Sequence, residues 1–182
     1  MKKNILVLTG SPRKDGNSEK LADAFILGAN EVGHDVTKIR TANLKIHGCL
    51  DCKQCFSHDA PCCIDDDFNA RIAPELEKAD VLVLVTPLYW FTYTAQLKLV
   101  LDKMYAYMRK KDALNIKQAI LLVCGGGTNE EFYTGIEKSF DFMCKFMKCE
   151  NSGVVIADGL HKKDSILSSQ QLVKAKNLGR EI

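Results

Sequence analysis

Short apolar runs that alternate with helical segments constrain the fold of this chain more than any other feature. Four runs continue without polar alternation, the pattern of strands buried on both faces of a parallel sheet, and they span residues 4–9, 80–86, 118–124 and 152–157. A fifth run, residues 35–41, alternates apolar with polar side chains and predicts an edge strand.

Segments with helical spacing separate these predicted strands. Apolar residues recur every three or four positions in three of the segments, and two shorter helices are predicted around 67–78 and 168–178. Strands that alternate with helices form parallel βαβ units with right-handed connections. At 182 residues the chain suits a single α/β domain over residues 1–182: a doubly wound, five-stranded parallel sheet in the order 2-1-3-4-5, with helices on both faces. In this order, the loops after strands one and three should carry ligand-binding residues.

Charge and hydropathy exclude several classes of partner. The 25 basic and 23 acidic side chains are interleaved, without a basic run that could follow a phosphate backbone, so we expect no nucleic acid partner. No apolar run approaches the roughly 20 residues that cross a bilayer, and the run at residues 4–8 is too short for a signal peptide. We therefore expect a cytoplasmic protein without a membrane partner, whose eight cysteines serve metal binding or thiol chemistry rather than disulfides.

The loop after the first strand, TGSPRKDGNSEK, has the composition of a phosphate-binding turn. Gly10 and Gly16 permit tight turns, while Ser11, Asn17 and Ser18 offer hydroxyl and amide groups just before a predicted helix. The free N–H groups and the dipole of a helix N-terminus favour a phosphate. The loop matches neither the ATP-binding nor the dinucleotide-binding glycine pattern, and an ordinary capped turn would use the same residues.

Two more unusual loops follow the third and fourth strands. Tyr89, Trp90 and Phe91 are consecutive after Pro87, and rings at consecutive positions of a tight loop cannot all face one core, so some can flank a flat ligand. Residues 125–127 are three glycines, which allow close approach of the backbone to a ligand. The alternatives are that Trp90 and Phe91 pack under a helix and that the glycines form a flexible connection. Because all three loops lie at one edge of the predicted sheet, we expect them to bind a cofactor with a phosphate and a flat ring.

Five of the eight cysteines lie within fifteen positions, in a long connection of about residues 42–66 between the second strand and the second helix. Cys49, Cys52 and Cys55 have the C-x-x-C-x-x-C spacing that lets one loop direct three thiolates to a single centre, and either Cys62 or Cys63 could be a fourth ligand. Three hypotheses remain open: a [4Fe-4S] cluster, structural zinc, and reduced thiols that pack as small apolar side chains.

Four motifs, in order along the chain, resemble those of one known family. They are S-P-R-x-x-G-N-S at residues 11–18, G-C-x-x-C-x-x-C with later cysteines and an Asp-Asp pair at 48–66, A-D-V-x-V-x-x-T-P-x-Y-W at 79–90, and L-K-x-x-L-D-K at 97–103. Together they resemble the flavodoxin-like superfamily of NAD(P)H-dependent FMN reductases, and within it the branch that contains the iron-sulfur flavoproteins.

This resemblance implies a flavodoxin-like fold and a bound FMN. The FMN phosphate would lie at Ser11, Arg13, Asn17 and Ser18, and the isoalloxazine ring beside Pro87, Leu88, Tyr89, Trp90 and Phe91, with Gly125, Gly126 and Gly127 on a third side. The resemblance also implies a homodimer or larger homo-oligomer. In its iron-sulfur branch, a cluster would be held by Cys49, Cys52, Cys55 and either Cys62 or Cys63.

The implied reaction passes electrons from NAD(P)H through FMN to a second acceptor, which is a flavin, a quinone, another small molecule or a protein. The chemistry takes place at flavin N5, so no catalytic side chain is required. An electron carrier without its own nicotinamide reaction is the alternative. Carriers of the flavodoxin type are acidic, so a sequence pI of about 8.1 favours the enzyme. The sequence leaves open the choice between NADH and NADPH.

Overall fold

A computed structural model describes residues 1–57, 61–108 and 114–182 of the chain. These residues form one parallel sheet with the strands β1 (Asn4–Thr9), β2 (Asp35–Arg40), β3 (Val81–Pro87), β4 (Gln118–Cys124) and β5 (Glu150–Ala157). The strand order is β2-β1-β3-β4-β5, and all four pairings are parallel. The predicted doubly wound, five-stranded sheet is therefore confirmed.

Helices cover both faces of this sheet. In the described part of the chain they are α1 (Asn17–Glu31), α2 (Ala73–Lys78), α3 (Ala95–Lys103), α4 (Glu131–Met147) and α5 (Gln171–Glu181). A π-helical turn, Phe68–Ile72, leads into α2, and a 3-10 turn, Met104–Tyr107, extends α3. None of the described helices is long and apolar enough to cross a membrane.

Two separate cores explain why the central strands need no polar alternation. On one face, Leu82 and Leu84 of β3 pack with residues of α2, α3 and α4. On the other face, Val81 and Val83 of the same strand pack with residues of α1 and α5. Because successive side chains of a strand point to opposite faces, a central strand between two helical layers is apolar at every position.

The strand β5 differs from its prediction. It lies at the edge of the sheet, and its first five residues are exposed or half-buried, whereas Val155 and Ala157 are buried. The expectation that residues 152–157 are buried on both faces is therefore confirmed only in part: Val155 and Ala157 are buried in one core, whereas Val154 and Ile156 are half-buried against the other. Its apolar residues lie mostly in its second half, where they pack on the neighbouring helices.

A close contact joins the loops after β1 and β3 at the carboxyl edge of the sheet. The Thr94 hydroxyl, at the start of α3, donates a hydrogen bond to the Gly10 carbonyl at 2.8 Å. A Cβ atom at Gly10 would lie 2.5 Å from Thr94 Oγ1 and 2.7 Å from Leu97 Cβ, closer than real Cβ contacts. A glycine at position 10 therefore lets the two loops approach each other.

Candidate functional site

A cleft opens at the carboxyl ends of β1, β3 and β4. It is lined by three predicted loops and by a fourth loop, after β5, that the sequence analysis did not single out. Its lining residues are Ser11, Arg13, Lys14, Gly16, Asn17, Ser18, Pro87, Leu88, Tyr89, Cys124, Gly125, Gly126, Leu160 and Lys163. The structure thus brings most of the predicted site residues together, as the strand order requires.

One end of the cleft is formed by the N-terminus of α1. Gly16 is the N-cap residue and has no side chain to cap the first turn, so the N–H groups of that turn are available to an anion. Ser11 and Ser18 are buried beside it, and Ser11 Oγ accepts a hydrogen bond from the Arg13 N–H at 3.2 Å. This arrangement of uncapped N–H groups and hydroxyls fits a phosphate.

One acidic residue in the first turn of α1 is neutralised by neighbouring cations. Glu19 is buried, and its carboxylate lies 2.7 Å from Lys38 Nζ and 3.4 Å from Arg40 Nε, both on β2. The carboxylate is therefore paired with the edge strand, and its charge does not oppose an anion at the helix N-terminus.

The Asn17 side chain, at the start of α1, forms hydrogen bonds with the loop that follows β5. Its amide nitrogen donates to the Lys162 carbonyl at 2.9 Å and to Ser165 Oγ at 3.3 Å, and its oxygen accepts from the Ile166 N–H at 3.5 Å. These bonds occupy the side chain, which leaves the Asn17 backbone N–H for a phosphate. A phosphate-binding role for Asn17 stays a prediction.

The other end of the cleft is a two-residue hairpin that follows β3. Tyr89 and Thr92 exchange two backbone hydrogen bonds of 3.1 Å, and the residues between them have positive φ angles, 52° at Trp90 and 64° at Phe91. This is the backbone of a type I′ turn, which normally favours Asn and Gly. Trp90 is 91% exposed, so it is a surface residue rather than part of the core under α3.

Pro87, Leu88 and Tyr89 line the cleft, while the next two rings lie at the hairpin tip. Phe91 packs edge-on against Phe132 of α4, with ring centroids 5.6 Å apart. The position of Trp90 and Phe91 next to Tyr89 is compatible with contact to a bound ring. Their role in flavin binding stays a prediction.

Two of the three glycines after β4, Gly125 and Gly127, pack tightly against the start of α4, while Gly126 lies against His161. A Cβ atom at Gly125 would overlap the Tyr133 hydroxyl, and one at Gly127 would lie 2.7 Å from the Phe132 ring. The Tyr133 hydroxyl donates to the Gly127 carbonyl at 2.7 Å. Gly125 and Gly126 line the cleft on their open side, so glycine is required here by packing as well as by access to the cleft.

A second, smaller pocket is lined by all five clustered cysteines, Cys49, Cys52, Cys55, Cys62 and Cys63. The sulfur atoms of Cys52 and Cys63 are 3.4 Å apart. The Gln54 N–H and the Cys63 thiol lower the pKa of Cys52, while the hydrogen bond to Cys52 raises the pKa of Cys63 to about 11. The Cys63 thiol therefore holds its proton more strongly than the Cys52 thiol does.

The donor set of this pocket suits iron or zinc, because thiolates are the preferred ligands of both. Within residues 1–57, 61–108 and 114–182, however, no three His, Cys, Asp or Glu side chains are arranged to hold a metal ion. The thiols converge on one pocket but do not form a finished metal site.

A buried ion pair fastens the cysteine stretch to α3. Lys103 Nζ lies 2.6 Å from Asp66 Oδ2, and the Lys103 side chain is fully buried. The Asp66 carboxylate also accepts the N–H groups of His47 at 2.8 Å and Phe68 at 2.9 Å. Burial raises the pKa of Asp66, but Lys103 and the two N–H groups outweigh burial and lower it. The L-K-x-x-L-D-K motif thus meets the Asp-Asp pair at Lys103 and Asp66.

Comparison with known proteins agrees with this geometry. The model of the family described as NADPH-dependent FMN reductase matches residues 3–133, which include the first three cleft loops and the cysteine stretch. The chain belongs to this family. It is accordingly an oxidoreductase, and the resemblance found in the sequence motifs is confirmed.

Individual relatives of this FMN reductase family member carry related names. An iron-sulfur flavoprotein of Methanosarcina thermophila is 32% identical over 157 residues, which cover 86% of this chain and 78% of the relative. An NAD(P)H:quinone oxidoreductase from Methanothermobacter marburgensis superposes with a TM-score of 0.78 at 22% identity, over 100% of this chain and 97% of that one. An FMN-dependent NADH-azoreductase from Bacillus anthracis, solved in complex with FMN, has a TM-score of 0.67 at 18% identity, over 98% and 96% of the two chains. These two structures establish the likeness of fold.

The cleft of this family member is also lined by residues that the sequence analysis missed. Leu160 and Lys163 enter the cleft from the loop after β5, and Lys14 enters from the loop after β1. No glycine run or aromatic cluster marks the loop after β5, so its composition carries no signal for a ligand. The rule that loops at the carboxyl edge of a parallel sheet share one site would have pointed to it.

Proposed function

We propose that this protein binds FMN in the cleft and passes electrons from NAD(P)H through FMN to a second acceptor. The observation that carries the proposal is the convergence of the loops after β1, β3 and β4 on one cleft. One end of this cleft is an uncapped helix N-terminus, which suits a phosphate, and the other end is an apolar and aromatic wall, which suits a flat ring.

The residues of the chain would bind and orient the cofactor, while the bound flavin supplies the hydride-accepting chemistry. Ser11, Ser18 and the first-turn N–H groups of α1, which line the cleft, would hold the phosphate, and Arg13 would add a charge-assisted hydrogen bond. Leu88 and Tyr89 flank the ring system. In the same cleft, burial raises the pKa of Cys124 to about 12 against the opposing effect of Ser18, so this thiol stays neutral.

Removal of the two serine hydroxyls tests the phosphate end of the site. Ser11→Ala combined with Ser18→Ala should weaken FMN binding at least tenfold, because each lost hydrogen bond to a charged group contributes about 1–3 kcal/mol. The affinity is measured by titration of the apoprotein with FMN, and the cofactor released from wild-type protein is identified by chromatography. Ser152→Ala on β5, outside the cleft, is the control. Unchanged affinity in the double variant, or release of FAD, would contradict the proposal.

Steady-state kinetics separate the enzyme from the alternative electron carrier. The enzyme oxidises NADH or NADPH in repeated turnovers when a flavin, a quinone or a redox protein is supplied as acceptor. A carrier accepts electrons once and shows no nicotinamide turnover, which would favour the alternative. The same assay, run with each acceptor in turn, identifies the acceptor class.

We also propose that the protein is a homo-oligomer. The large side chains Trp90, Phe91, Phe142 and Phe146, on the hairpin and on α4, are each more than half exposed. Contiguous exposed apolar patches mark surfaces that bind other proteins, and here the rings of Trp90 and Phe91 lie 6.4 Å apart while Phe142 and Phe146 line one shallow depression. Light scattering coupled to gel filtration gives the mass in solution, and a mass of 20.3 kDa, that of one chain, would contradict the proposal.

The cysteine pocket supports a second candidate function, the binding of a [4Fe-4S] cluster. We propose Cys49, Cys52, Cys55 and Cys63 as its ligands, after rearrangement of the thiols. The contact between Cys52 and Cys63 favours Cys63 over Cys62, which packs partly against the core beneath α3. Iron and acid-labile sulfide are measured after anaerobic reconstitution. Cys63→Ser should abolish cluster formation, while Cys62→Ser should retain it. Zinc alone, or no iron and sulfide, would favour the two other hypotheses.

A further inference from the structure

We infer that residues 158–166, which follow β5, form a fourth wall of the cofactor cleft and that Lys163 in this segment binds the cofactor phosphate. We call the segment the β5 strap. The inference rests on the proposed FMN site and adds to it a cation from a part of the chain remote in sequence from the loop after β1. It also assigns Asn17 a positioning role, as the residue that holds the strap in place.

The strap is fastened to the N-terminal turns of α1. Asn17 donates to the Lys162 carbonyl at 2.9 Å and to Ser165 Oγ at 3.3 Å. One turn later, Lys20 forms an ion pair with Asp164 at 3.0 Å. These contacts surround position 163 on both sides, so they set where the Lys163 backbone lies relative to the helix N-terminus.

The strap is also fastened to the glycine loop after β4. The Leu160 N–H donates to the Gly125 carbonyl at 2.9 Å, and a Cβ atom at Gly126 would lie 3.2 Å from His161 Nδ1. Ile166, at the far end of the strap, is fully buried in the core of α1 and α5. The segment is therefore held at both ends and along its length by structured parts of the fold.

Lys163 and Lys14 both line the cleft that Arg13 also lines. Neither lysine has an ion-pair partner among the described residues, whereas the neighbouring Lys20 is paired with Asp164. A phosphate monoester carries between one and two negative charges at neutral pH. Arg13 and the helix N-terminus compensate part of this charge, and Lys163 supplies a further cation from the β5 strap.

Two phosphates share the chemistry that Lys163 recognises, the phosphate of FMN and the 2′-phosphate of NADPH. Lys163 lines the same cleft as Ser11 and Ser18, at the uncapped first turn of α1. Because this turn is the anion site of the cleft, we assign Lys163 to the FMN phosphate. The assignment predicts that Lys163 distinguishes FMN from riboflavin, which has the same ring system but no phosphate.

The test compares flavin affinities of Lys163→Met with those of wild-type apoprotein, measured by quenching of flavin fluorescence. We expect Lys163→Met to weaken FMN binding about tenfold and to leave riboflavin affinity unchanged. Added salt should reduce the difference between variant and wild type, because it screens exposed charges. Lys162→Met is the matched control, since Lys162 lies in the same strap but does not line the cleft, and it should bind both flavins as wild type does.

A separate measurement tests the positioning role of Asn17. Asn17→Ala removes the hydrogen bonds to Lys162 and Ser165, so trypsin should cleave after Lys162 and Lys163 faster than in wild-type protein. Equal cleavage rates would show that Asn17 does not hold the strap.

The remaining outcomes distinguish this inference from the proposed function. Wild-type protein that binds neither FMN nor riboflavin would overturn both. Tight FMN binding by wild type with equal affinity in Lys163→Met would overturn the inference alone. Equal losses of FMN and riboflavin affinity would give Lys163 a structural role, and a raised KM for NADPH but not NADH, with unchanged FMN affinity, would assign it to the nicotinamide cofactor. Both of these results contradict the inference.

Discussion

At the scale of single residues, the pair of Lys103 and Asp66 explains how a long, cysteine-rich connection is held on the fold. Lys103 is a fully buried cation paired with the Asp66 carboxylate, which also accepts two backbone hydrogen bonds. A buried charge that loses its partner is strongly destabilising, because the remaining charge is neither solvated nor paired. The pair therefore ties the cysteine pocket to α3 and makes this tie sensitive to substitution.

We predict that Lys103→Met lowers the free energy of unfolding by about 3–5 kcal/mol, the range for breaking a buried ion pair. Lys98→Met is the control, because Lys98 pairs with Asp102 on the exposed face of the same helix and should contribute less than about 1 kcal/mol. Urea unfolding at pH 7 measures both values. Equal free energies of unfolding for the two variants would show that the buried pair contributes no more to stability than the exposed pair.

The ion pair between Lys103 and Asp66 also makes the stability of the protein depend on pH. The folded state lowers the pKa of Asp66, so the pair contributes stability above the unfolded pKa of about 3.9 and loses it as the pH falls through the folded value. Lys103→Met lacks this contribution already at neutral pH. The free energy of unfolding of this variant should therefore decline less than that of wild type as the pH falls below about 4.

At the scale of elements, the hairpin after β3 combines an unfavourable backbone with exposed rings. Trp90 and Phe91 both have positive φ angles, a conformation that costs about 1–3 kcal/mol for each bulky residue. Strain of this kind is common at binding sites, where the surrounding structure maintains it. Along the chain, the tip of the hairpin comes directly after the residues that line the cleft. Contact of the two rings with a bound ligand would account for the strain.

We predict that Trp90→Asn combined with Phe91→Gly raises the free energy of unfolding by about 1 kcal/mol, since Asn-Gly is favoured in type I′ turns. The gain is partly offset by loss of the contact between Phe91 and Phe132. FMN affinity should fall or the flavin absorption spectrum should shift, because the rings are gone. Phe142→Ala, an exposed ring on α4, is the control. A double variant that unfolds but binds FMN normally in its folded fraction would contradict this prediction.

At the scale of the whole molecule, α1 and α5 cross at two glycines. A Cβ atom at Gly28 would overlap the Lys176 carbonyl oxygen, and one at Gly179 would overlap the Phe25 carbonyl oxygen. The helix backbones therefore touch at this crossing. Since α1 begins at the cleft and α5 follows the β5 strap, their contact supports the geometry of the cofactor site from a distance.

We predict that Gly28→Ala lowers the free energy of unfolding by about 1–3 kcal/mol, because the added methyl forces two backbones apart. FMN affinity should fall with it, as the start of α1 and the strap move relative to each other. Gly135→Ala on α4 is the matched control, since its Cβ would meet only the Phe91 carbonyl oxygen at 3.5 Å. Alanine should stabilise that helix by about 0.5–1 kcal/mol. A neutral or stabilising Gly28→Ala would show that the crossing can relax.

The amino-acid sequence alone determined the parts of this protein that depend on local pattern. Uninterrupted apolar runs identified β1, β3 and β4 as central strands, because only a strand covered on both faces can be apolar throughout. Alternation with helices then implied the parallel order, and that order placed three unusual loops at one edge. At β5 the prediction held only in part, because Val154 and Ile156 are half-buried, and a short apolar run does not reveal how completely the neighbouring helices cover an edge strand.

The tertiary structure alone decided which side chains meet. Asn17 bonds to residues about 145 positions away, Lys103 finds Asp66 across 37 positions, and Lys163 reaches the cleft from a loop without any compositional signal. Periodicity and turn composition report the conformation of neighbouring residues, whereas these contacts depend on how whole elements pack. The long-range partners of a polar side chain can be identified only after the packing of strands and helices has fixed the distances between residues.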